Sequence, residues 1–220
     1  MAKPAIWAVA SVPERRRPEG ICFQYPEELA EIDRLRKEKN AVILAHYYQT
    51  GEIQDIADFV GDSLALAQWA AKTEASLLVM CGVHFMGETA KILCPDKKVL
   101  VPDLNAGCSL ADSCPAVAFE QFVKAHPGHT VISYVNTTAA VKAVTDIVVT
   151  STNARQIVES LPKEEKIIFG PDRNLGHYIN SITGREMGCG ILVAGGREYL
   201  FPITEIVPKK DFFDYEAKYT

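Results

Sequence analysis

The stretch that decides the fold is AHYYQTGEIQDIADFVGDSLALAQWAA (residues 45–71), with GVHFMGETAKILCPDKKVLVPDLNAGCSLADSC (82–114) and VISYVNTTAAVKA (131–143). Its apolar runs end on, or lead into, the polar side chains of His46, Tyr48, Ser63, Cys108, Tyr134 and Asn136. Open α/β sheets bind their ligands at the carboxyl ends of their strands. The stretch therefore predicts an α/β protein with a binding site at those strand ends.

Outward from this stretch, helical and strand patterns alternate from residue 27 to residue 183. Runs such as AVILAHY, SLLVM and KIIFG are typical of buried parallel strands, and segments such as AVAFEQFVKAH are typical of helices. This alternation predicts a doubly wound parallel sheet with right-handed crossovers. The segment EIQDIADFVGDSLALAQWAAKT is predicted as two helices with a break at Gly61.

A weak internal repeat divides the chain. KVLVPDLNAG and KIIFGPDRNLG, about 70 residues apart, both give a strand followed by Pro, Asp and Asn. Two copies of an α/β unit explain this spacing, and coincidence between similar α/β segments is the alternative. We predict a leader at 1–24, a first subdomain at 25–112, a second subdomain at 113–187 and a tail at 188–220.

Bulk composition excludes several classes of protein. The 220 residues are 48% hydrophobic and 23% charged, which is typical of a soluble globular protein. A formal net charge of −5 argues against a general nucleic-acid-binding surface. No apolar run reaches the roughly 20 residues of a membrane helix, and the order of residues in the N-terminal segment is wrong for a signal peptide. We expect a cytoplasmic protein.

Six cysteines occur without a C-x-x-C pair: Cys22, Cys81, Cys94, Cys108, Cys114 and Cys189. Without a secretory signal, metal binding or burial is favoured over disulfides. Cys108 precedes a predicted helix start, which can favour a thiolate, and Cys114 lies just before Pro115. Their spacing alone is compatible with either metal binding or burial.

The polar strand ends allow two interpretations each. His46 is either a titrating group or a hydrogen-bonded structural histidine. Ser63 and the segment 150–152, which contains Ser151, lie at helix starts, where hydroxyl and amide groups either bind an anion or cap the helix. From the residues alone, a non-catalytic anion-binding α/β module explains these features as well as an enzyme does.

The order of these motifs resembles that of quinolinate synthase, an iron–sulfur enzyme of NAD biosynthesis. The resemblance lies in AH-x-Y, DSL, NAGCSL, Y-x-N and VTS and covers roughly residues 21–187. It implies three similar α/β domains around a pseudo-threefold axis, each giving one cysteine to a 4Fe-4S cluster. Cys108 would be the first of these metal ligands.

The resemblance also implies a reaction. Iminosuccinate would condense with dihydroxyacetone phosphate to give quinolinate, and an aspartate oxidase or dehydrogenase would supply the iminosuccinate. It implies His46, Tyr48 and Tyr134 as catalytic residues. It implies His46, Ser63, Tyr134, Asn136 and Ser151 as substrate-binding residues.

The resemblance breaks near Met187. The other two cluster cysteines and the third domain of that family have no counterpart, and Cys189 lies in the wrong context. The tail instead resembles a piece of D-alanine–D-alanine ligase, whose FFDYEAKY word would place Lys218 and Tyr219 over ATP. A ligase fragment would explain only this tail. A chimeric origin is favoured over a genuine fusion, and we expect the chain to be inactive alone.

Overall fold

The computed structural model describes residues 26–184, Met187–Cys189, Ile191–Ala194 and Arg197–Leu200. The predicted leader at 1–24 and most of the predicted tail lie outside the described residues. The first half contains α1 Pro26–Glu38, β1 Ala41–His46, α2 Gly51–Ile56, β2 Phe59–Gly61, α3 Ser63–Lys72, β3 Leu77–Cys81, α4 His84–Leu93 and β4 Lys98–Leu100.

The one-turn helix α5 Ser109–Asp112 connects the two halves. The second half contains α6 Ala116–Ala125, β5 His129–Tyr134, α7 Ala139–Lys142, β6 Ile147–Val149, α8 Ala154–Ser160, β7 Lys166–Gly170, α9 Arg173–Thr183 and β8 Met187–Cys189. Two further strands, β9 Ile191–Ala194 and β10 Arg197–Leu200, pair with each other in antiparallel fashion.

Each half forms its own four-stranded sheet, and every pairing within these two sheets is parallel. The strand orders are β2-β1-β3-β4 and β6-β5-β7-β8. Helices connect successive strands, as parallel pairing requires. The predicted parallel α/β fold is therefore confirmed. Among the described residues, no helix is both long and apolar enough to cross a membrane.

The central strands are apolar because both of their faces are covered. Leu44 of β1 packs in a cluster with residues of α3 and α4, whereas its neighbours Ile43 and Ala45 pack with residues of α1 and α2. In the second sheet, Ile132 packs against α8 and α9, and Val131 packs against α6 and α7. Successive side chains of a strand point to opposite faces, so a doubly covered strand becomes a continuous apolar run.

The two halves are copies of one unit, but not in the predicted register. β1 and β5 are both six residues long with the same burial pattern, and they are offset by 88 residues, from 46 to 134. β2 and β6 have the same offset, from 61 to 149. The predicted spacing of about 70 residues compared β4 with β7, which occupy different places in their sheets. A strand followed by a Pro-Asp turn is too common a pattern to set the register.

Two aspartates at equivalent positions fasten the edge strands. The Oδ2 atom of Asp58, just before β2, accepts a hydrogen bond of 2.8 Å from the backbone N–H of Ile43. The Oδ2 atom of Asp146, just before β6, accepts a bond of the same length from the N–H of Val131. Their own N–H groups donate back to the carbonyls of Ile43 and Val131 at 2.8 and 2.9 Å. The 88-residue offset also holds for both partners in these bonds.

Two expectations need correction. The break at Gly61 is not a simple interruption between two helices, because residues 59–61 form the edge strand β2 there. A three-residue strand is too short to show the alternation that distinguishes it from a helix. The segment after residue 187, predicted as a separate tail, also begins within the parallel sheet: Gly188 and Cys189 of β8 pair with Ile168 and Phe169.

Candidate functional site

His46 and Tyr48 lie together at the carboxyl end of β1. His46 is the last residue of the strand and is 6% exposed, whereas Tyr48 is 71% exposed. Their ring centroids are 4.4 Å apart. The buried imidazole thus packs against an exposed phenol ring. This arrangement offers a hydrogen-bonding group and an aromatic surface to a ligand at the strand end.

The protonation state of His46 follows from its surroundings. Burial lowers the pKa of the imidazole, and the negative charge of Asp62 opposes this shift. Its Nδ1 atom accepts a hydrogen bond of 3.3 Å from the backbone N–H of Tyr48. An accepting Nδ1 requires the neutral tautomer that carries its proton on Nε2. His46 is therefore a neutral donor through Nε2.

Ser63 is the first residue of α3, directly after β2. The helix is capped by Asp62, whose Oδ1 atom accepts a hydrogen bond of 2.8 Å from the N–H of Ala65. The Ser63 hydroxyl is therefore not the capping group. A Cβ atom at Gly61 would lie 2.9 Å from the Phe59 ring, so the backbone approaches the ring closely before the helix. Ser63 remains a candidate ligand-binding hydroxyl at this strand end.

Tyr134 and Asn136 lie at the carboxyl end of β5, the strand that corresponds to β1. At this strand end a side chain of the second unit contacts Cys108. Tyr134 is the last residue of the strand and is 7% exposed. The Asn136 side-chain amide donates to the Sγ atom of Cys108 across 4.0 Å, a long contact that sulfur's size still allows. Cys108 is half-buried at the start of α5. That helix is only four residues long.

Ser151 lies in the turn between β6 and α8 and is exposed. The turn is held by Asn153, whose Oδ1 atom accepts a hydrogen bond of 2.8 Å from the N–H of Thr150. Asn153 rather than Ser151 therefore fastens this turn. The Ser151 hydroxyl is left at the surface of the carboxyl edge of the second sheet.

The candidate residues fall into equivalent pairs under the 88-residue repeat. His46 corresponds to Tyr134, Tyr48 to Asn136, and Ser63 to Ser151. Each unit thus presents side chains from the same three places at its strand ends. The structure brings His46 to Tyr48 and Cys108 to Asn136. That all of these side chains face one cleft stays a prediction.

Helix α4 of the first unit joins the two units. The Glu88 Oε2 atom accepts a hydrogen bond of 2.9 Å from the N–H of Ala139 at the start of α7. The N–H of His84 donates to the carbonyl of Ala106, 2.8 Å away in the loop that leads to Cys108. One helix therefore contacts both the loop of Cys108 and the helix that follows Asn136.

Two residues next to the candidate site, Gln54 and Lys142, were not among the predicted site residues. Both lie in the short helix after a strand end, and both donate hydrogen bonds to backbone carbonyls of the preceding turn. Lys142 was visible only as a lysine within the word TAAVKA. The spacing of apolar residues carries no information on hydrogen bonds to carbonyls. Only the 88-residue offset of the repeat could have shown that Gln54 and Lys142 occupy equivalent positions.

Comparison with known proteins identifies the family. The family described as "Quinolinate synthetase A protein" matches residues 30–196. The chain belongs to the quinolinate synthase family. A quinolinate synthase of Trichormus variabilis is 61% identical over 175 residues, which are 79% of this chain and 53% of that protein. One of Nostoc punctiforme is 64% identical over 158 residues, 72% of this chain and 49% of that protein.

The family match extends beyond residue 187, where the resemblance was expected to end. A quinolinate synthase of Cyanophora paradoxa is 51% identical over 199 residues, 89% of this chain and 57% of that protein. The family likeness therefore does not end near Met187, since the family match continues to residue 196. The chain spans about half the length of these relatives. The ligase resemblance, with Lys218 and Tyr219, lies outside the described residues and stays a prediction.

The cysteines of the described residues do not complete an iron–sulfur site. Burial raises the pKa of the Cys81 and Cys114 thiols to about 11 and also raises that of Cys94. These three are core residues, and such thiols are poor sources of thiolate ligands. In the described part of the chain, no group of three or more His, Cys, Asp or Glu side chains could hold a metal ion.

Four-iron clusters are held by several cysteine thiolates. Of the cysteine side chains that the structure describes, only Cys108 is not buried, so these residues do not hold a whole cluster.

Proposed function

We propose that this chain supplies the first two units of a quinolinate synthase and that their strand ends bind its substrates. The observation that carries the proposal is the paired set of strand-end residues, which lies within a sequence 61% identical to a quinolinate synthase. The reaction would condense iminosuccinate with dihydroxyacetone phosphate and release phosphate and two waters. An oxidase or dehydrogenase acting on aspartate would supply the iminosuccinate. Such an enzyme is a transferase.

The first unit offers donors to carboxylate or carbonyl oxygens. The Nε2–H of neutral His46 would donate a hydrogen bond, while its Nδ1 atom is already engaged by the Tyr48 N–H. His46 therefore acts as a hydrogen-bond donor and becomes a proton acceptor only if that bond is given up. The exposed Tyr48 phenol would close over the ligand and exchange a proton with it.

The second unit offers a complementary set. Tyr134, buried at its strand end, would act as the second phenolic proton carrier. Asn136 and the hydroxyls of Ser63 and Ser151 would bind carboxylate and phosphate oxygens. Cys108, in contact with Asn136, is the proposed contribution of these units to the family's 4Fe-4S cluster. When bound, that cluster would supply a Lewis acid.

A chimera tests this proposal. Residues 30–183 of this chain, through the end of α9, replace the matching part of the Trichormus variabilis enzyme, which keeps its own chain, with its own cluster cysteines, beyond that point. Quinolinate formation is measured anaerobically. The chimera should make quinolinate. Tyr134→Phe should lower the rate at least about 100-fold, as expected for a lost proton-transfer group. His46→Ala should also lower the rate, because it removes a donor that binds the substrate. Gln121→Met, on the exposed face of α6, is the control and should leave the rate unchanged.

The alternative, a non-catalytic anion-binding module, makes a different prediction. It requires the chimera to fold and bind phosphate without making quinolinate. A folded chimera with no activity would overturn the proposed function. Quinolinate formation that survives both site substitutions would overturn the assignment of the site.

A further inference from the structure

Two side chains outside the candidate site hold its two turns in the same way. The Nε2 atom of Gln54 donates hydrogen bonds to the carbonyls of Tyr47 and Gln49, at 3.0 and 2.8 Å. These carbonyls flank Tyr48 on both sides. The side-chain amide therefore spans the turn that presents the Tyr48 ring.

Lys142 makes the corresponding contacts in the second unit. Its Nζ atom donates to the carbonyl of Val135 at 2.9 Å and also to the carbonyl of Thr137. These carbonyls flank Asn136 on both sides. The 88-residue offset relates every member of the two sets, because Gln54 corresponds to Lys142 and the two flanking carbonyls correspond in turn.

We propose that Gln54 and Lys142 are equivalent positioning residues, each fixing the turn that presents a side chain of the candidate site, the catalytic Tyr48 in the first unit and the substrate-binding Asn136 in the second. The inference rests on the proposed function for the roles of Tyr48 and Asn136. The two bonds in each unit are made to the residues on either side of the presented one. When one side-chain group binds the carbonyls of the residues before and after a given residue, the backbone of that residue cannot rotate freely.

The second turn has an additional bridge to its strand. Lys142 Nζ also donates to the Thr137 hydroxyl at 3.2 Å, and that hydroxyl donates to the carbonyl of Tyr134 at 2.9 Å. Thr137 is fully buried, so water cannot replace these partners. The ammonium group has three donors, and these three acceptors use all of them. Lys142 thus ties Asn136 to the end of β5 as well as to its own turn.

The first unit fixes the lysine itself. The Phe85 ring centroid lies 5.6 Å from Lys142 Nζ, and the carboxylate of Glu88, on the same helix α4, favours its protonated form. Burial has the larger effect and lowers the pKa of Lys142 to about 8. The second turn is therefore coupled to the first unit, whereas the contacts of Gln54 stay within its own unit.

Amide hydrogen exchange followed by NMR on the full chain tests the proposal. Gln54→Met should accelerate exchange at the hydrogen-bonded amides of Tyr48 and Gln49, and Lys142→Met at the hydrogen-bonded amide of Thr137. The loss of two or three hydrogen bonds should raise these rates about tenfold or more. Each variant should leave the other turn unchanged. Gln121→Met and Lys124→Met, both exposed on α6, are the matched controls and should change neither turn.

A pH titration separates positioning from a general structural role. In the parent chain, the amide shifts of Asn136 and Thr137 should titrate together with a midpoint near the Lys142 pKa of about 8, while those of Tyr48 and Gln49 should not. Lys142→Arg should abolish this titration, because arginine stays charged. Glu88→Gln should lower the midpoint, since it removes the charge that raises the lysine pKa.

The outcomes are decisive in both directions. Unchanged exchange in Gln54→Met and Lys142→Met, or equal acceleration in both turns by either variant, would overturn the proposal. If Lys142→Met does not fold, the Lys142→Arg and Glu88→Gln titrations decide, and a parent titration unaffected by both would overturn it. In the chimera, both Met variants should also lower kcat/KM at least tenfold. Because exchange is measured without substrate, an inactive chimera would refute the proposed function and leave the exchange result standing.

Discussion

Because the two units are copies of one fold, equivalent substitutions in each unit can be compared in a stability experiment. Asp58→Ala and Asp146→Ala each remove a carboxylate that accepts a 2.8 Å hydrogen bond from a central strand. The N–H groups that lose their acceptor belong to Ile43 and Val131, which are 6% and 3% exposed. A hydrogen bond to a charged group contributes about 1.5–3 kcal/mol, and a buried unpaired donor retains the full cost of its desolvation. We therefore expect each substitution to destabilise its own unit by about 2 kcal/mol.

The two aspartates should differ in their salt dependence. Asp58 also forms an ion pair of 2.5 Å with Arg36, and the two side chains are 25% and 19% exposed. A pair of this exposure adds at most about 1 kcal/mol. The extra destabilisation of Asp58→Ala should decrease in 1 M salt, but only in part, because a partly buried contact of 2.5 Å is screened much less than an exposed pair. The cost of Asp146→Ala should stay constant.

Pulsed alkylation reads each unit separately. Cys94 packs in the core of the first unit and Cys114 in the core of the second, and both are buried. Their alkylation rates follow the population of the open form when reclosing is fast. A cost of about 2 kcal/mol corresponds to about a 30-fold faster reaction of the cysteine in the substituted unit.

Asp103→Ala is the matched control. Asp103 accepts a backbone hydrogen bond of the same 2.8 Å length, but in an exposed turn where water can replace the carboxylate. Its substitution should change neither cysteine by more than about threefold, which corresponds to the usual limit for surface sites. Less than threefold acceleration of Cys114 in Asp146→Ala would refute the argument from strand fastening. Equal acceleration of both cysteines would show that the units do not open separately.

Three further outcomes are expected. Ile132→Ala should destabilise the second unit by about 2–5 kcal/mol in urea unfolding, because this fully buried side chain leaves a cavity, whereas exposed Val117→Ala should have little effect. Because burial lowers the pKa of His46, the unfolded chain binds more protons, so stability should fall as the pH drops below about 6.5 towards the folded value, and His46→Asn should lose less over this range. The isolated chain, prepared anaerobically, should bind no stoichiometric iron–sulfur cluster and make no quinolinate. A bound cluster or the formation of quinolinate would contradict the assignment of Cys108 as a single ligand.

Much of the fold was predictable because its signals are local. Apolar runs such as residues 41–46 and 166–170 are buried on both faces, so the parallel sheet was visible as continuous hydrophobic segments. The strand β2 was not visible, because its three residues lie at a sheet edge between two helices whose apolar spacing continues across them. The register of the repeat also failed, since similar strand-and-turn words occur at places that are not equivalent.

The site was predictable only where it follows from chain position. His46, Tyr134 and Asn136 were predicted as site residues because the first two end strands and the third follows one, and parallel topology brings strand ends to one edge. The contacts of Gln54 and Lys142 were not found, because they depend on the course of the turn backbone after each strand. The link from Glu88 to Ala139 was also invisible, since it joins residues 51 positions apart in different units.

The repeat separates what supports the unit from what defines the site. Positions that hold the backbone make equivalent contacts in both copies: Asp58 and Asp146 accept equivalent bonds, and Gln54 and Lys142 donate to equivalent carbonyls. Positions at the ends of the central strands β1 and β5 differ: His46 corresponds to Tyr134, and Tyr48 corresponds to Asn136. A duplicated scaffold with unlike strand ends can present different groups to two unlike substrates, whereas identical ends would present one set twice. Differences between the copies at strand ends therefore indicate specificity, and agreement at the fastening positions indicates stability.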